Sequence, residues 1–308
     1  LAANLELIAS QYDELPYNSL PFPKTHPLRL AAIARLFGLE APPMASARVL
    51  ELGCAAGGNI IPMAARFPGA RFLGVDLGRK QVAEAQRRIT SLGLANIDVR
   101  CESLTDLGDD IGEFDYVISH GVYSWVPKPV QDALLRATGK HLSANGIGYV
   151  SYNVAPGWHI YKPLRDAFRL MIPEHYGPAV RVEMARELLV LMQQQSPDQG
   201  PYGDILRGSP SRFAKLPSDY IFHEYMEDSN DPVTIRDFID DAEKAGLVYL
   251  ADSDLSYLLP ENFGPEFARQ IRERTSGDLV TIEQMIDVMT GRTFRSTLLV
   301  PKPQLGNI

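Results

Sequence analysis

The segment Glu51-Leu-Gly-Cys-Ala-Ala-Gly-Gly-Asn59 decides the fold of this 308-residue chain. It follows an apolar run at residues 48–52 that is predicted as a strand, and a helical pattern begins at its end. Gly53 and Gly57 permit a tight turn and the close approach of a ligand, and Asn59 can cap the next helix. The segment therefore predicts a ligand-binding loop between a strand and a helix.

Two kinds of pattern alternate around this segment. Short apolar runs rich in β-branched residues are separated by amphipathic stretches with helical spacing. Strict alternation of strands and helices is typical of βαβ units and of a parallel sheet. We therefore predict an α/β, Rossmann-like core with strands at residues 48–52, 71–76, 96–101, 114–119 and 146–153.

The acidic residues near the loop indicate which cofactor it binds. Asp76 ends the second predicted strand, where a carboxylate can accept hydrogen bonds from the hydroxyls of an adenosine ribose. Dinucleotide enzymes favour G-x-G-x-x-G facing a pyrophosphate, which the acidic Glu51 would repel. An acid at that position suits the ammonium of a methionine moiety. The pattern is typical of class I S-adenosylmethionine-dependent methyltransferases, and it departs from them at Ala55, where glycine is usual.

Composition limits the remaining possibilities. Two cysteines, Cys54 and Cys101, are too few for a disulfide framework or a cysteine-rich zinc site, and no metal-ligand spacing is recognisable. No apolar run reaches the roughly 20 residues that span a bilayer. Residues 1–20 lack the basic region of a secretory signal. We expect a cytoplasmic protein with no metal and no membrane partner.

Much of the net charge of −8 lies in one stretch. Residues 213–252 contain ten acidic residues against three basic ones, a balance of −7. Because nucleic-acid binding needs clustered Lys and Arg, no nucleic-acid partner is expected. The stretch is either a solvated helical face or an acidic surface that attracts a basic substrate.

Further motifs resemble those of one bacterial subfamily. They are Tyr12-Asp-Glu-Leu-Pro-Tyr17 with Pro21-Phe-Pro-Lys-Thr-His-Pro27, His120-Gly-Val-Tyr-Ser-Trp-Val-Pro127, Ser151-Tyr-Asn-Val-Ala-Pro-Gly157, Phe222-His-Glu-Tyr225 and Arg292-Thr-Phe-Arg-Ser-Thr-Leu-Leu299. Together they resemble bacterial methyltransferases with a methyltransferase regulatory domain, a group that includes rickettsial protein-lysine methyltransferases. The resemblance covers nearly the whole chain and implies S-adenosylmethionine as the cofactor, but it does not fix the substrate.

The resemblance also implies which residues contact the cofactor. They lie in the glycine loop, after the second to fourth strands, and in a lid at residues 12–27. They are Glu51, Gly53, Ala55, Gly57 and Asn59 at the methionine end, Asp76 and Leu77 at the ribose, Glu102 and Ser103 at the adenine, His120 near the methyl group, and Tyr17 and His26 in the lid.

Side chains that follow the fourth and fifth predicted strands are candidates for the mouth that admits the methyl acceptor. Methyl transfer from a sulfonium needs mainly in-line alignment and the exclusion of water. An amine acceptor must also lose its charge, which aromatic and amide neighbours in a desolvated site favour. The alternative is that Trp125 and Tyr152 are packing anchors, and His120 is either a general base or a wall contact. The catalytic candidates are Tyr123, Trp125, Tyr152 and Asn153.

Four regions are predicted along the chain. They are a lid segment at residues 1–27, the methyltransferase core at 28–157, a helical insertion or cap at 158–231, and a regulatory region at 232–308. We expect the last region to supply a helix and two strands that complete a seven-stranded sheet, the alternative being a separate α+β domain. The helical insertion is also expected to offer a homodimer surface, with apolar residues that include Leu164, Phe168, Leu188 and Leu191.

These observations favour an enzyme that methylates an amine, most simply a protein lysine. A small-molecule O- or N-methyltransferase is the nearest alternative. A different class of protein, a non-catalytic module that binds S-adenosylmethionine and a partner, is also open, because Ala55 departs from the usual loop.

Overall fold

The computed structural model describes residues 19–195, 200–213 and 215–302. Within these ranges a seven-stranded sheet has the strand order β3-β2-β1-β4-β5-β7-β6. Its strands are β1 (Arg48–Leu52), β2 (Arg71–Asp76), β3 (Ile97–Cys101), β4 (Phe114–Ser119), β5 (Leu142–Asn153), β6 (Leu247–Asp252) and β7 (Phe294–Pro301).

The described residues also form eleven α-helices. They are α1 (Pro27–Leu36), α2 (Ile60–Arg66), α3 (Arg79–Leu92), α4 (Lys128–His141), α5 (Lys162–Met171), α6 (Pro178–Gln195), α7 (Pro201–Phe213), α8 (Ser218–Met226), α9 (Ile235–Lys244), α10 (Pro265–Thr275) and α11 (Leu279–Thr290). Several ends follow from local chemistry. The Thr234 hydroxyl caps α9 by accepting the Asp237 amide hydrogen, and Gly291 ends α11 in a left-handed conformation.

Strand direction confirms the predicted α/β, Rossmann-like fold with a mostly parallel sheet. β1 to β5 run parallel, whereas β7 is antiparallel to both β5 and β6. The chain order reverses between β1 and β4, which is where open α/β sheets form a ligand crevice beyond the carboxyl ends of their strands. β6 and β7 come from the predicted regulatory region, so this region completes the sheet.

Two apolar cores cover the two faces of the sheet. One contains residues of α1, α2 and α3, and the other contains residues of α4 and α9. β5 contributes to both, because successive side chains of a strand point to opposite faces. Ile147 and Tyr149 lie in the first core, whereas Val150 and Tyr152 lie in the second. This alternation decides which β5 side chains can reach the site described below.

The described residues divide into two compact units. One comprises residues 19–157 and 231–302, and therefore contains the whole sheet. The other, residues 158–230, contains α5 to α8 and has its own apolar core. No helix within the described ranges is long and apolar enough to cross a bilayer.

Some of the apolar residues that are predicted to form a homodimer surface on the helical unit are buried inside this unit. Leu164 and Phe168 are fully buried in the core of the unit, because α5 packs this face against α8. Leu188 packs partly against the same core, and Leu191 is exposed. The first two residues are therefore unavailable to a partner, and the homodimer stays a prediction.

A buried ionic cluster joins α11 to the last two strands. The Arg295 guanidinium donates to Asp287 at 2.7 Å and to Glu283 at 2.8 Å, and Arg292 donates to Asp252 at 2.9 Å. All five residues are buried. Each carboxylate therefore has a cationic partner inside the protein, which a charge removed from water requires.

Candidate active site

The glycine loop begins directly after β1 and has an unusual backbone. Gly53 and Gly57 have φ angles of +79° and +74°, in the region that disfavours side chains. A Cβ added at Gly53 would lie 2.3 Å from a methyl carbon of Val122. Val122, in the segment that follows β4, therefore packs directly on the loop. Ala55 also has a positive φ, +47°. The position where the sequence departs from the family pattern is thus one where glycine would be less strained.

Asp76, at the end of β2, holds this loop in place. Its Oδ2 accepts the Ala55 amide hydrogen at 2.8 Å, and its Oδ1 accepts that of Gly78 at 2.8 Å. The side chain is partly exposed. The Glu102 amide donates to the Asp76 carbonyl at 3.0 Å, which brings the end of β3 alongside. Leu77 and Ser103 are also partly exposed at this edge, so the residues assigned to the ribose and adenine lie on one side of the loop.

Glu51 is a buried carboxylate with an unused oxygen. Its side chain is 3% exposed, and its Oε1 accepts from the Asn59 amide at 2.7 Å. No described group forms a hydrogen bond with its Oε2. Burial, and then the negative charge of Asp76, raise the pKa of Glu51 to about 8, and the hydrogen bond from Asn59 offsets only part of this increase. A buried acid without a cation fits the ammonium group of S-adenosylmethionine.

Residues 19–25 lie directly against the loop. The Gly58 amide donates to the Ser19 hydroxyl at 2.8 Å, and the Asn59 side-chain oxygen accepts the Phe22 amide hydrogen at 2.9 Å. Thr25 also hydrogen-bonds to Asn59. Phe22 is therefore fixed, through Asn59, next to the buried carboxyl group of Glu51. Phe22 is not among the residues predicted from the sequence to contact the cofactor, although it lies within the predicted lid.

Tyr17 and His26 are the two lid residues predicted from the sequence to contact the cofactor. Tyr17 lies outside the described residues. The structure gives His26 a capping role, because its Nδ1 accepts the Leu28 amide hydrogen at the start of α1. Its ring contacts Phe67 at the far end of α2, with 5.8 Å between ring centroids. The capping contact uses Nδ1 alone, and the expectation that His26 faces the cofactor stays a prediction.

His120 follows β4 and is surrounded by aromatic and hydroxyl groups. Its Nδ1 lies 3.0 Å from the Tyr149 hydroxyl and 3.2 Å from that of Ser151. The Phe22 ring lies 4.0 Å from the imidazole and the Phe294 ring 5.8 Å, measured between centroids. Both phenylalanines remain more than a third exposed. These rings form an aromatic mouth, which we define as Phe22, His120 and Phe294.

Two of the catalytic candidates lie elsewhere. Tyr123 and Tyr152 are 0% and 1% exposed and pack on Phe238 in the core on the other face of the sheet. Their hydroxyls bond Asp241 and Thr297. The prediction that both rings reach the acceptor is therefore wrong in this structure. Packing, the alternative for Tyr152, is what the burial favours.

The catalytic roles predicted for the other two candidates, Trp125 and Asn153, stay predictions. Trp125 is 8% exposed in a 3-10 turn after β4. Asn153 ends β5 on the same face as Ser151, and it pairs in register with Phe294 of the aromatic mouth. The side chains beside His120 are Tyr149 and Ser151, each an odd-numbered β5 residue. The alternation of the strand could have indicated them, because Tyr152 must point the other way.

Comparisons with known proteins agree with this geometry. Residues 49–146 match a family model described as "Methyltransferase domain", and residues 217–301 match "Predicted methyltransferase regulatory domain". RP789 of Rickettsia prowazekii is 39% identical over 94% of this chain and 52% of its own length. RP028 of the same organism is 33% identical over 76% of this chain and 94% of its own length.

Solved structures lead to the same group. PKMT2 from Rickettsia typhi has a TM-score of 0.84 and 33% identity, over 94% of this chain and 55% of that protein. The same protein in complex with AdoHcy has a TM-score of 0.83. This chain therefore spans about half the length of RP789 and of PKMT2.

The fold and the loop define a class I methyltransferase whose methyl donor is S-adenosylmethionine. More narrowly, the chain belongs to the methyltransferases that carry a methyltransferase regulatory domain. The regulatory match runs from α8 to β7 and so contains two strands of the catalytic sheet.

Proposed function

We propose that the chain transfers a methyl group from S-adenosylmethionine to an amine, and that the natural acceptor is a protein lysine. The observation that carries the proposal is the aromatic mouth beside the cofactor loop. It offers aromatic faces and an uncharged imidazole, and burial lowers the pKa of His120 to about 4. A hydroxyl acceptor needs a strong base, whereas a neutral amine is already a good nucleophile.

The cofactor brings its own activated methyl group, so the protein must bind and orient it. Glu51 is proposed to hold the ammonium, with Gly53, Ala55, Gly57 and Asn59 shaping the methionine end. The ribose is assigned to Asp76 and Leu77, and the adenine to Glu102 and Ser103. Asp76 accepts the backbone hydrogens of Ala55 and Gly78, which fixes its carboxylate at the edge of the sheet where the ribose is proposed to bind.

The aromatic mouth is proposed to accept the lysine side chain. Phe22 and Phe294 can contact its methylene groups and attract its ammonium through their ring faces. Transfer of that ammonium out of water lowers its pKa and favours the neutral, nucleophilic form. The proton is released to solvent before the amine attacks. Asn153 is an additional candidate contact at the end of β5.

The relatives support the choice of lysine over a small molecule. The motifs resemble those of rickettsial protein-lysine methyltransferases, and PKMT2 is similar over nearly the whole chain. The acidic stretch at residues 213–252 gives less support than its composition suggests. Glu224, Glu227 and Asp252 are buried, and Asp241 is paired with Lys128 and Lys244.

The test uses S-adenosylmethionine labelled at its methyl group. We expect label in methyl-lysine after incubation with poly-L-lysine and acid hydrolysis, and none with poly-L-lysine whose amines have been acetylated. Small phenols and carboxylic acids are offered in parallel. Label only on an oxygen of a small molecule would replace the lysine proposal. Cofactor binding in calorimetry without turnover on any acceptor would favour the non-catalytic module.

A further inference from the structure

Within the described residues, the imidazole of His120 has hydrogen-bond partners at one of its two nitrogens, Nδ1. Its Nδ1 lies within hydrogen-bond distance of the Tyr149 and Ser151 hydroxyls. Its Nε2 forms no hydrogen bond with any group in residues 19–195, 200–213 or 215–302, and the ring is only partly buried. A fixed ring with one free nitrogen in the aromatic mouth can therefore bind a further group.

The hydroxyl partners decide which nitrogen carries the hydrogen. The Tyr149 hydroxyl donates to the Ser296 hydroxyl at 3.0 Å, so its single hydrogen is already used. Its oxygen must then accept the hydrogen of His120 Nδ1. A neutral imidazole protonated at Nδ1 has its lone pair at Nε2. The free nitrogen is consequently a hydrogen-bond acceptor.

The ring also lies close to where the methyl group is expected. Phe22 contacts it at 4.0 Å, and the Phe22 backbone is bound through Asn59 to Glu51, which we assign to the cofactor ammonium. β4 and β1 are neighbours, and Ile118 pairs with Glu51 in register. His120 and Glu51 therefore lie at the same edge of adjacent strands.

We propose that Nε2 of His120 accepts a hydrogen bond from the acceptor nitrogen and so directs its lone pair at the methyl group, while Tyr149, Ser151 and Ser296 fix the tautomer that makes this possible. The inference rests on the proposed function and assigns a role within it. His120 is a catalytic residue in this scheme, and the three hydroxyl residues are positioning residues.

The chemistry balances without a general base. The neutral amine forms its bond to the methyl carbon as the carbon–sulfur bond breaks, and that electron pair stays on sulfur. The product is a methylammonium, which releases its extra proton to solvent. His120 keeps its own hydrogen on Nδ1 throughout and takes up no proton.

The size of the pKa difference explains why orientation is the better role. Burial, and then the charge of Lys24, lower the pKa of His120 to about 4. A lysine ammonium in water has a pKa of about 10, so removal of its proton by this imidazole would be strongly uphill. The other groups nearby are hydroxyls and phenyl rings, and Lys24 is itself paired with Asp254. A neutral ring also avoids repelling the positive sulfonium.

A spectroscopic experiment tests the tautomer directly. Protein labelled with nitrogen-15 in its histidines is saturated with S-adenosylhomocysteine, and His120 is assigned by comparison with His120→Asn. We expect a neutral ring with hydrogen on Nδ1 at pH 7. In Ser296→Ala the freed Tyr149 hydroxyl should donate to Nδ1 and move the hydrogen to Nε2. Thr297→Val is the matched control, because it removes a hydroxyl pair on the opposite face of β7.

Kinetics on poly-L-lysine test the consequence. Gln can present an acceptor near the Nε2 position, whereas Asn reaches only the Nδ1 position. We therefore expect kcat to fall about tenfold or more in His120→Asn and Ser296→Ala, and less in His120→Gln. S-adenosylhomocysteine affinity should remain within about threefold of wild type in each variant, because this ligand lacks the methyl group near which His120 is expected to lie.

The outcomes separate the two proposals. Hydrogen on Nε2 in the wild-type protein overturns this inference, as does an unchanged kcat in His120→Asn while the wild type labels amines. A wild-type enzyme that labels only oxygen acceptors rejects the proposed function and the acceptor role of His120 with it. The predicted tautomer, together with kcat in the order wild type, Gln, Asn, supports both.

Discussion

Two buried groups of acids in this protein differ in how their charge is compensated. Asp252, Glu283 and Asp287 surround Arg292 and Arg295, so each carboxylate has a guanidinium within 3 Å. Glu51 is equally buried, but among the residues that the structure describes only the neutral Asn59 side chain binds its carboxyl group. The first group is complete within the chain, whereas the second lacks a cation.

This difference separates a structural role from a functional one. A buried charge that the fold itself compensates holds elements together, here α11 with β6 and β7. A buried acid left without a counter-ion has a raised pKa and takes up a proton in the ligand-free protein, and its position is explained by a ligand that supplies the missing cation. The ionic cluster also contacts the acceptor side, since the backbone amide of Ser296 donates to Asp252 while the Ser296 hydroxyl accepts from Tyr149.

The largest effect is expected from removal of the central cation. Arg295→Ala leaves three buried carboxylates with Arg292 alone, and a broken buried pair costs about 3–5 kcal/mol. We expect the midpoint of thermal unfolding to fall markedly. Arg269→Ala on the exposed face of α10 is the control, because its ion pairs with Glu266 and Glu273 are solvent-exposed and should contribute little. An equal, small shift in both variants would contradict a structural role for the cluster.

Glu51→Gln should reduce cofactor affinity without reducing stability, which is the opposite of the effect expected for Arg295→Ala. The amide retains an oxygen that can accept from Asn59 but cannot pair with an ammonium. We expect the affinity for S-adenosylmethionine to fall about 10- to 100-fold, corresponding to about 1.5–3 kcal/mol, in isothermal calorimetry. The ligand-free protein should unfold at the same temperature or higher, because a costly buried acid has been removed. A fall in stability without loss of affinity would assign Glu51 to the fold.

The raised pKa of Glu51 makes cofactor affinity depend on pH. Glu51 has a pKa of about 8 in the ligand-free protein, so at lower pH it must lose a proton before it can pair with the ammonium. Affinity should therefore rise from pH 6 towards pH 8 by up to about tenfold per unit and fall again at higher pH, where the ammonium of the cofactor loses its own proton. Calorimetry in buffers of different ionisation enthalpy measures the proton released. Glu51→Gln should abolish this release, and a pH-independent wild-type affinity would contradict the assignment.

Much of this architecture could be predicted from sequence, because it depends on local patterns. The alternation of strands and helices gave the sheet, and the loop with Glu51 and Asp76 gave the cofactor edge. Both signals lie within short segments of the chain. The last two strands were also recognisable from their apolar runs, although they follow long intervening stretches.

The acceptor side was harder to predict because it depends on which face each residue occupies. Tyr152 is a catalytic candidate from the sequence, with packing as the alternative, but Ser151 and Tyr149 are the β5 side chains that contact His120. A difference of one residue along a strand reverses the face. Phe22 and Phe294 come from opposite ends of the chain and meet His120 only in the folded protein. No spacing within the sequence indicates that meeting.

The smallest effect is expected from replacement of Ala55. This substitution tests whether the backbone of the cofactor loop is strained, in addition to the lack of a counter-ion for Glu51. The Ala55 φ of +47° disfavours any side chain, and Asp76 holds the residue there through the Ala55 amide. Ala55→Gly relieves this strain but gains entropy in the unfolded chain, so we expect a net stabilisation below about 1 kcal/mol.

The neighbouring residue provides the matched control for Ala55→Gly. Ala56 is buried and lacks a positive φ, so Ala56→Gly has the entropic cost and also removes a buried methyl group, and it should destabilise by about 1–2 kcal/mol. Thermal unfolding of both variants measures the difference, and calorimetry measures whether Ala55→Gly binds S-adenosylmethionine more tightly. Similar destabilisation by both substitutions would mean that the backbone at Ala55 is relaxed. The departure from the family glycine would then carry no strain, and Glu51 alone would distinguish this loop from the compensated cluster around Arg295.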